Sequence, residues 1–368
     1  MQRATSAWLA DPCNKPEWAE TFASKLNRAY VAYGSMVILP SGAFNELQPS
    51  HASEDSVTDD GVELLYRLIA HHLKASHIAI TRPIPLQDDE QGIENIIRAP
   101  KNFLGLYGDF GPVDCTSPPS QQDFNVAYWV TAKQNGISQT WAPRWTMFSR
   151  GNISEKARLL TLPSVVSAID EGKHDGRRCA AVDLYAGIGY FTFSYLKAGI
   201  DKVLGWDLNP WSIEGLMRGA KANKWAAIRS CEDELANVAK SSARLIVFNE
   251  DNAVAEQRIS HLRSLLPPIR HVNCGLLPTS RGSWWTAVNV LDLELGGWIH
   301  VHENFAVNDI GQKAEEVRTE MQRLVGERAG GKLSPVPVTI EHVNKLKSYA
   351  PGVMHCVLDV HVAARKQS

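Results

Sequence analysis

The chain has no pair of cysteines in C-x-x-C spacing. Its 6 cysteines, Cys13, Cys115, Cys179, Cys231, Cys274 and Cys356, are scattered through 368 residues. Neither a zinc ribbon nor a disulfide framework is indicated, and reduced thiols in the cytoplasm are the expectation. A surplus of charge is missing too. Lys and Arg number 38 against 40 Asp and Glu, a formal net charge of -2, so any RNA contact must rest on local positive charge. No apolar run approaches the roughly 18–20 residues a membrane span needs. The opening residues lead to Asp11, Lys15 and Glu17 rather than to an apolar core, so no secretory signal is expected, and Arg3 gives only a faint likeness to a transit peptide. No internal repeat is visible. What is present is 44% apolar and 21% charged residues, the make-up of a globular protein with material for a core. The length suggests two or three domains, at about 100–200 residues each.

The stretch from Val182 to Phe191, Val-Asp-Leu-Tyr-Ala-Gly-Ile-Gly-Tyr-Phe, organises the rest. Val182 and Leu184 continue an apolar run from Ala180 and read as a buried strand. Ala186, Gly187 and Gly189 lack bulk, so the backbone can turn tightly and approach a ligand. A helix opening near Tyr190 presents free N–H groups to the turn. The pattern is not the dinucleotide fingerprint, because Thr192 stands where its third glycine would be. It resembles the first motif of the class I S-adenosylmethionine (AdoMet) enzymes. A plain strand-turn-helix crossover without ligand is the competing reading.

Before this stretch the signals are mixed. Trp18, Phe22, Leu26 and Tyr30 recur every four residues and predict an amphipathic helix from Pro16 to Tyr33. Gln48 to Gly61 reads as a loop, Val62 to Leu73 as a helix, and His77 to Ile80 as a strand stopped by Arg82-Pro83-Ile84-Pro85. Asn95 to Pro112 is rich in turn formers. Cys115 to Gln122 reads as a polar linker, and the main domain boundary is placed near residue 122. Two strands, at Ala127 to Ala132 and Ile137 to Trp141, flank Asn135-Gly136, a strong hairpin signal. Between Lys133 and Arg158, Lys133, Arg144, Arg150, Lys156 and Arg158 are opposed only by Glu155. Tyr128, Trp129, Trp141, Trp145 and Phe148 are interleaved or adjacent. Such a mixture suits a nucleic-acid face and equally a core hairpin with ordinary surface charge. A helix is predicted from Ser154 to Leu160.

After the glycine turn, strand and helix alternate. Strands are expected at Lys202 to Asp207, Arg244 to Phe248, His271 to Leu277 and Trp298 to His302. Helices are expected at Pro210 to Asn223, Val254 to Leu266, Trp284 to Leu295 and Gln312 to Arg328. This is the pattern of a parallel α/β sheet. Two closing strands, Val336 to Val343 and Val353 to Ala363, surround a turn from Lys345 to Gly352. With no crossover helix between them, they imply one antiparallel partner at the edge.

In such a sheet the ligand lies beyond the carboxyl ends of the strands. Strand one offers Asp183. Strand two offers Asp207, about 20 residues after the turn, where an acid can accept from both ribose hydroxyls. Capping the next helix is its alternative role, although Asn209 followed by Pro210 already supplies a cap. Strand three ends in Asp251-Asn252, an adenine contact or a solvated turn. Strand four ends in Asn273-Cys274-Gly275-Leu276-Leu277-Pro278-Thr279-Ser280, a floor for a flat base. On strand five His300 and His302 share one face, without the further ligands a metal needs. A structural or substrate-facing role is favoured for His302, Glu303 and Asn304. Lys347 and Tyr349 stand between surface and site.

Taken together, Phe148-Ser149-Arg150-Gly151-Asn152 with Glu155-Lys156, Asp183 to Phe191, Asn209-Pro210, Asn273 to Ser280, His300 to Asn304 and Lys347 to Gly352 resemble the tRNA wybutosine-synthesising protein 2 family. The run Gln134-Asn135-Gly136 and Tyr107 to Pro112 resemble its fungal branch. The likeness is dense from about Asn95 onward and thin before it. It implies a class I AdoMet methyltransferase-like (Rossmann-like) α/β fold over residues 123–368, led by the hairpin, and a smaller N-terminal α+β region over 1–122 that contacts tRNA. The implied reaction moves the 3-amino-3-carboxypropyl group of AdoMet to the tricyclic guanine derivative, 4-demethylwyosine, beside the anticodon of phenylalanine tRNA, releasing methylthioadenosine. Alternatives are a tRNA guanine-N1 methyltransferase on the same fold and a non-catalytic tRNA-binding scaffold. Arg150 and Asn152 are the implied catalytic residues. The implied AdoMet-binding set is Ser149, Arg150, Lys156, Asp183, Tyr185, Ala186, Gly187, Gly189, Tyr190, Phe191, Asp207, Leu208, Asn209, Asp251, Asn252 and Asn273. No metal, no membrane, no evident general base and a cytoplasmic monomer complete the expectation.

Overall fold

The computed structural model describes residues 1–11, 17–46, 60–81, 87, 95–100, 102–230, 241–330 and 336–365. The predicted loop at 48–61 therefore lies almost wholly outside the described residues, as do the stop at 82–85, Cys13 and Cys231. The chain divides into two compact units, residues 1–132 with 140–148, and residues 133–139 with 149–368.

In the first unit, helices α1 (Gln2–Ala10), α2 (Ala19–Ala29) and α3 (Asp60–Leu73) accompany a four-stranded sheet of order β1 (Val31–Tyr33), β2 (Met36–Pro40), β3 (His77–Thr81), β4 (Leu104–Tyr107). The four-residue period holds where it counts: Ala4 and Trp8 of α1, and Phe22 and Leu26 of α2, are buried with Leu65 and Ile69 of α3. The helix predicted to reach Tyr33 stops earlier. Tyr30 turns extended (φ -73, ψ 157), and Val31–Tyr33 pairs with β2. Strand β4 emerges within the stretch read as turns. The linker read up to Gln122 closes on α4 (Gln121–Val126), where Ser120 and Asp123 form a reciprocal capping box.

The hairpin of β5 (Val130–Gln134) and β6 (Ile137–Trp141) has its turn and second strand as predicted, while its first strand begins and ends later than the predicted Ala127 to Ala132. Asn135 (φ 50) and Gly136 (φ 72) both take the left-handed backbone of a type I′ turn.

The second unit is built on an eight-stranded sheet. Its strands are β7 (Ala180–Asp183), β8 (Lys202–Trp206), β9 (Ala227–Arg229), β10 (Leu245–Phe248), β11 (Ile269–Cys274), β12 (Gly297–Ala306), β13 (Val338–Ala350) and β14 (Val353–Val362). The order is β13-β14-β12-β11-β7-β8-β10-β9. The pairs from β9 to β12 are parallel, and β14 is antiparallel to both β12 and β13. Helices α5 (Ile153–Leu159), α6 (Pro163–His174), α7 (Thr192–Ala198) and α8 (Pro210–Ala222) cover one face. Their Leu159, Val165, Phe193 and Leu216 pack with Ala181, Val203 and Val247. Helices α9 (Ala255–Leu262), α10 (Trp284–Val290) and α11 (Ile310–Arg328) cover the other, burying Ile259, Val288 and Met321 with Leu204, Val272 and Ile299. A sheet covered on both faces explains why β7 and β10 read as apolar runs, and why even Arg270, His271 and Asn273 of β11 are buried.

Helix α6 and the short β9 were not foreseen. The turn predicted from Lys345 is also corrected: β13 runs on to Ala350, and only Pro351 and Gly352 (φ 73) make the reversal. Register shifts along β13 let the polar run Asn344-Lys345-Leu346-Lys347-Ser348 stay paired with β14.

Candidate active site

The carboxyl end of β7 is built around Asp183. This fully buried carboxylate accepts from the backbone N–H and hydroxyl of Thr192 (3.0 and 2.8 Å), from Asn273 Nδ2 (2.9 Å) and from the Tyr185 N–H (3.4 Å). Burial raises its pKa against the opposing pull of those donors. The structure thus places Asp183 inside the scaffold of the turn, tying both its ends to β11. Gly187 (φ 53) and Gly189 (φ 92) sit where L side chains are strained. A Cβ would also come within 2.7 Å of the Tyr190 ring at Gly187 and 2.6 Å of the Phe193 ring at Gly189.

Beyond β8, half-buried Asp207 accepts from the Gly187 N–H (2.8 Å) with one oxygen and from the Asn209 N–H (2.9 Å) with the other. Burial pushes its carboxyl up to about 6. Each oxygen has lone-pair capacity beyond the bond it makes, which suits a ribose diol. Asn209 caps α8, accepting from the Trp211 N–H at 3.0 Å. Its side chain caps the helix, as the Asn209-Pro210 pair predicted. Sequence reasoning passed over Asn249, whose amide donates to the carbonyls of Asp207 (2.9 Å) and Leu208 (3.1 Å) and holds Leu208 exposed beside the acid. Only a contact across strands could reveal that role. Exposed Asp251 accepts from the Ala253 N–H (2.8 Å), and Asn252 donates to the Leu184 carbonyl (2.8 Å), joining the end of β10 to that of β7.

The Ser149–Asn152 segment meets the same turn. The Ser149 N–H donates to the Tyr190 hydroxyl at 3.2 Å. Lys156 is buried and donates to Gln134 (2.6 Å), Gln139 (3.2 Å) and the Ser149 carbonyl (3.4 Å), with its ammonium 5.6 Å from the Tyr190 ring centre. Burial first, and the charge of Lys347 second, lower its pKa to about 8. Arg150 is exposed on a 3-10 turn, and Asn152 Oδ1 is buried without a hydrogen-bond partner among the described residues.

The basic and aromatic stretch is divided: Trp141 belongs to the core, whereas Tyr128, Trp129, Trp145 and Phe148 are only partly buried. Trp141 is buried and stacked on Phe148 at 4.5 Å, with Tyr33 edge-on to both. Arg158 is turned inward onto Glu155 (2.6 Å) and Asp359 (2.6 Å). Stacking faces used inside a core are not offered to bases.

On the sheet face covered by α5–α8, His300 hydrogen-bonds Asp359 (2.8 Å) and His271 (3.1 Å), while His302 hydrogen-bonds His355 (3.0 Å). Burial lowers His302 and His355 to about 3, so both are neutral imidazoles. Among the described residues no group of three or more His, Cys, Asp or Glu could hold a metal ion. Glu303 points to the opposite face and accepts from Thr279 Oγ1 (2.9 Å) and the Ser280 N–H (2.7 Å), fixing the loop after β11. A groove of about 810 Å³ bordered by Thr279, Trp284, Glu303, Phe305 and Lys313 runs beside α11, and no residue of the glycine turn lines it.

The strand order, the glycine turn after the first strand and the acid after the second define a class I AdoMet methyltransferase-like fold. The glycine cradle and the half-paired Asp207 carboxylate fit the adenosyl moiety of AdoMet. The chain is 38% identical to tRNA wybutosine-synthesizing protein 2 of Schizosaccharomyces pombe, over 90% of this chain and 72% of that protein. It is 32% identical to the Saccharomyces cerevisiae protein of the same name, over 95% of this chain and 70% of the other. It belongs to the tRNA wybutosine-synthesizing protein 2 family. In fold it is similar to Pyrococcus horikoshii TYW2 solved in complex with MeSAdo, with TM-score 0.61, 17% identity and 99% of each chain covered. It is similar too to aTrm5 solved with tRNALeu, with TM-score 0.54, 18% identity, and 95% of this chain and 79% of that one covered. No protein-family model matches. Among the described residues no helix is long and apolar enough to cross a membrane.

Proposed function

We propose that the protein transfers the 3-amino-3-carboxypropyl group of AdoMet to a carbon of 4-demethylwyosine beside the anticodon of phenylalanine tRNA. Methylthioadenosine is the by-product. The observation that carries this reading is the intact cradle, the Asp207 carboxylate held by the Gly187 N–H at 2.8 Å, in a chain of this family. Bound AdoMet supplies a sulfonium with an electrophilic carbon on its aminocarboxypropyl arm. The residues of the chain select and position. Asp207 accepts from the ribose hydroxyls, Leu208 and Asp251 flank the adenine, and the turn at Ala186, Gly187 and Gly189 admits the donor closely. Tyr190 and Ser149 lock that turn to the segment bearing Arg150 and Asn152, which serve the reacting centre. Positioning of this kind can supply on the order of 7–11 kcal/mol of the barrier reduction.

The same proposal takes residues 1–122 as the region that grips tRNA and 123–368 as the catalytic domain, acting as a cytoplasmic monomer. The test is product analysis with tRNA carrying the tricyclic precursor. Stoichiometric methylthioadenosine supports the reading. S-adenosylhomocysteine in its place would make the protein a methyltransferase.

A further inference from the structure

Lys347 is the residue of this region that the reading above leaves without a task. Its ammonium lies over Gly151, where a Cβ would collide with it. No hydrogen bond or ion pair among the described residues engages it, although it is half-buried. Glu155, on the helix that carries Lys156, is already held by Arg158, with Asn344 also donating to it at 2.5 Å.

Two separate paths connect this ammonium to the glycine turn. Along the chain, Gly151 follows Ser149, whose N–H donates to Tyr190 at 3.2 Å, and the Tyr190 ring packs on Gly187. Across the sheet, Lys347 pairs with His355, His355 hydrogen-bonds His302 at 3.0 Å, and the His302 ring lies 4.9 Å from that of Phe191. Asn152 Oδ1, one residue past Gly151, is a buried acceptor with no partner among the described residues. The cation over Gly151 and the acceptor of the next residue, both linked to the donor turn through these contacts, form a complement to a zwitterion: the cation takes the carboxylate and the acceptor takes the ammonium. Lys156, also near, lowers no further than about 8 and stays largely charged at neutral pH, so the local field favours an anion.

We propose that Lys347 binds the carboxylate of AdoMet's aminocarboxypropyl arm, with Asn152 Oδ1 accepting from the arm's ammonium, and so fixes that arm toward the base. This rests on the function proposed above and adds the residue that chooses among the sulfonium's carbons.

The experiment is calorimetric binding of AdoMet, S-adenosylhomocysteine and methylthioadenosine to wild type, Lys347→Met and Lys347→Arg. Methylthioadenosine lacks the carboxylate. In Lys347→Met the two carboxylate-bearing ligands should weaken about tenfold to hundredfold. Methylthioadenosine should stay within about twofold, certifying the fold, and Lys347→Arg should recover most of the loss. Equal weakening of all three ligands, or of none, would overturn the assignment. So would an unchanged AdoMet affinity with weakened tRNA binding, which would give Lys347 to an RNA phosphate. If wild type bound none of the three ligands, the proposed function would fall as well.

Discussion

The carboxylate of Asp207 accepts from the backbone N–H of Gly187 at 2.8 Å, across 20 residues of sequence. The acid after β8 and the turn after β7 are therefore one structure, and a change in either disturbs the other. Asp207→Ala should weaken AdoMet and methylthioadenosine alike, by about tenfold or more, since bonds to charged groups contribute roughly 1.5–3 kcal/mol. Calorimetry with both ligands checks this, and loss of only one would disagree.

Ionisation of the same carboxyl gives a pH signature. Its pKa stands near 6, raised by burial, and the ionised form is the better acceptor for ribose. Affinity for methylthioadenosine should be flat above about pH 7 and fall as pH drops through 6. Asp207→Asn should bind weakly at every pH, with the slope gone. A wild-type profile flat down to pH 5 would remove Asp207 from the ribose.

Gly151→Ala should act through Lys347. The backbone there is not left-handed, and the clash is with the flexible end of a lysine. The fold should survive with a stability change under about 1 kcal/mol. AdoMet should bind more weakly while methylthioadenosine is unaffected. By contrast, Gly189→Ala faces both a positive φ and the Phe193 ring, and should lower stability by about 1–3 kcal/mol along with binding of every adenosyl ligand.

The buried pair Arg158–Asp359 predicts a stability effect remote from the ligand. Its hydrogen bonds hold the Asp359 carboxyl well below its ordinary value, overcoming burial. The stabilisation is present above the unfolded value near 3.9 and is lost as pH falls through the depressed folded value. Asp359→Asn leaves Arg158 with Glu155 alone and should cost about 3–5 kcal/mol at pH 7. The gap from wild type should narrow below about pH 4 in denaturant titrations. A constant gap would mean the carboxylate charge is not what stabilises the pair.

In the first unit, Trp141→Ala should cost about 3–5 kcal/mol, because the indole is buried and stacked on Phe148. Were Trp141 a base-stacking platform, the same substitution would weaken RNA binding and leave unfolding unchanged.

The parts of this site that could be read from sequence are those set by local chemistry. Asn135-Gly136 announced its turn, Asn209-Pro210 its cap, and the glycines after Asp183 their tight passage. Strand ends then followed from the α/β pattern. Parts set by distant partners could not be read. Lys156 was legible as part of the motif that the resemblance ties to AdoMet, but not its burial against Gln134 and Gln139. His300 and His302 were correctly placed on one face, but their partners Asp359 and His355 lie more than 50 residues away. Helix α6 opens on Leu162, which makes no side-chain cap, so its start carried little signal beyond Pro163. The first half of β13 was read as a strand, whereas its polar second half from Lys345 read as a turn because its residues are ordinary loop formers. Pairing with the buried β14 overrides that preference.

In the proposed reaction the aminocarboxypropyl carbon of AdoMet, rather than the methyl, meets the tRNA base. Dual-label transfer tests it most directly, with AdoMet carrying one isotope in the carboxyl carbon and another in the methyl group. Carboxyl label alone should enter phenylalanine tRNA bearing the tricyclic precursor, and the methyl label should leave with methylthioadenosine. Methyl label in the tRNA would contradict it.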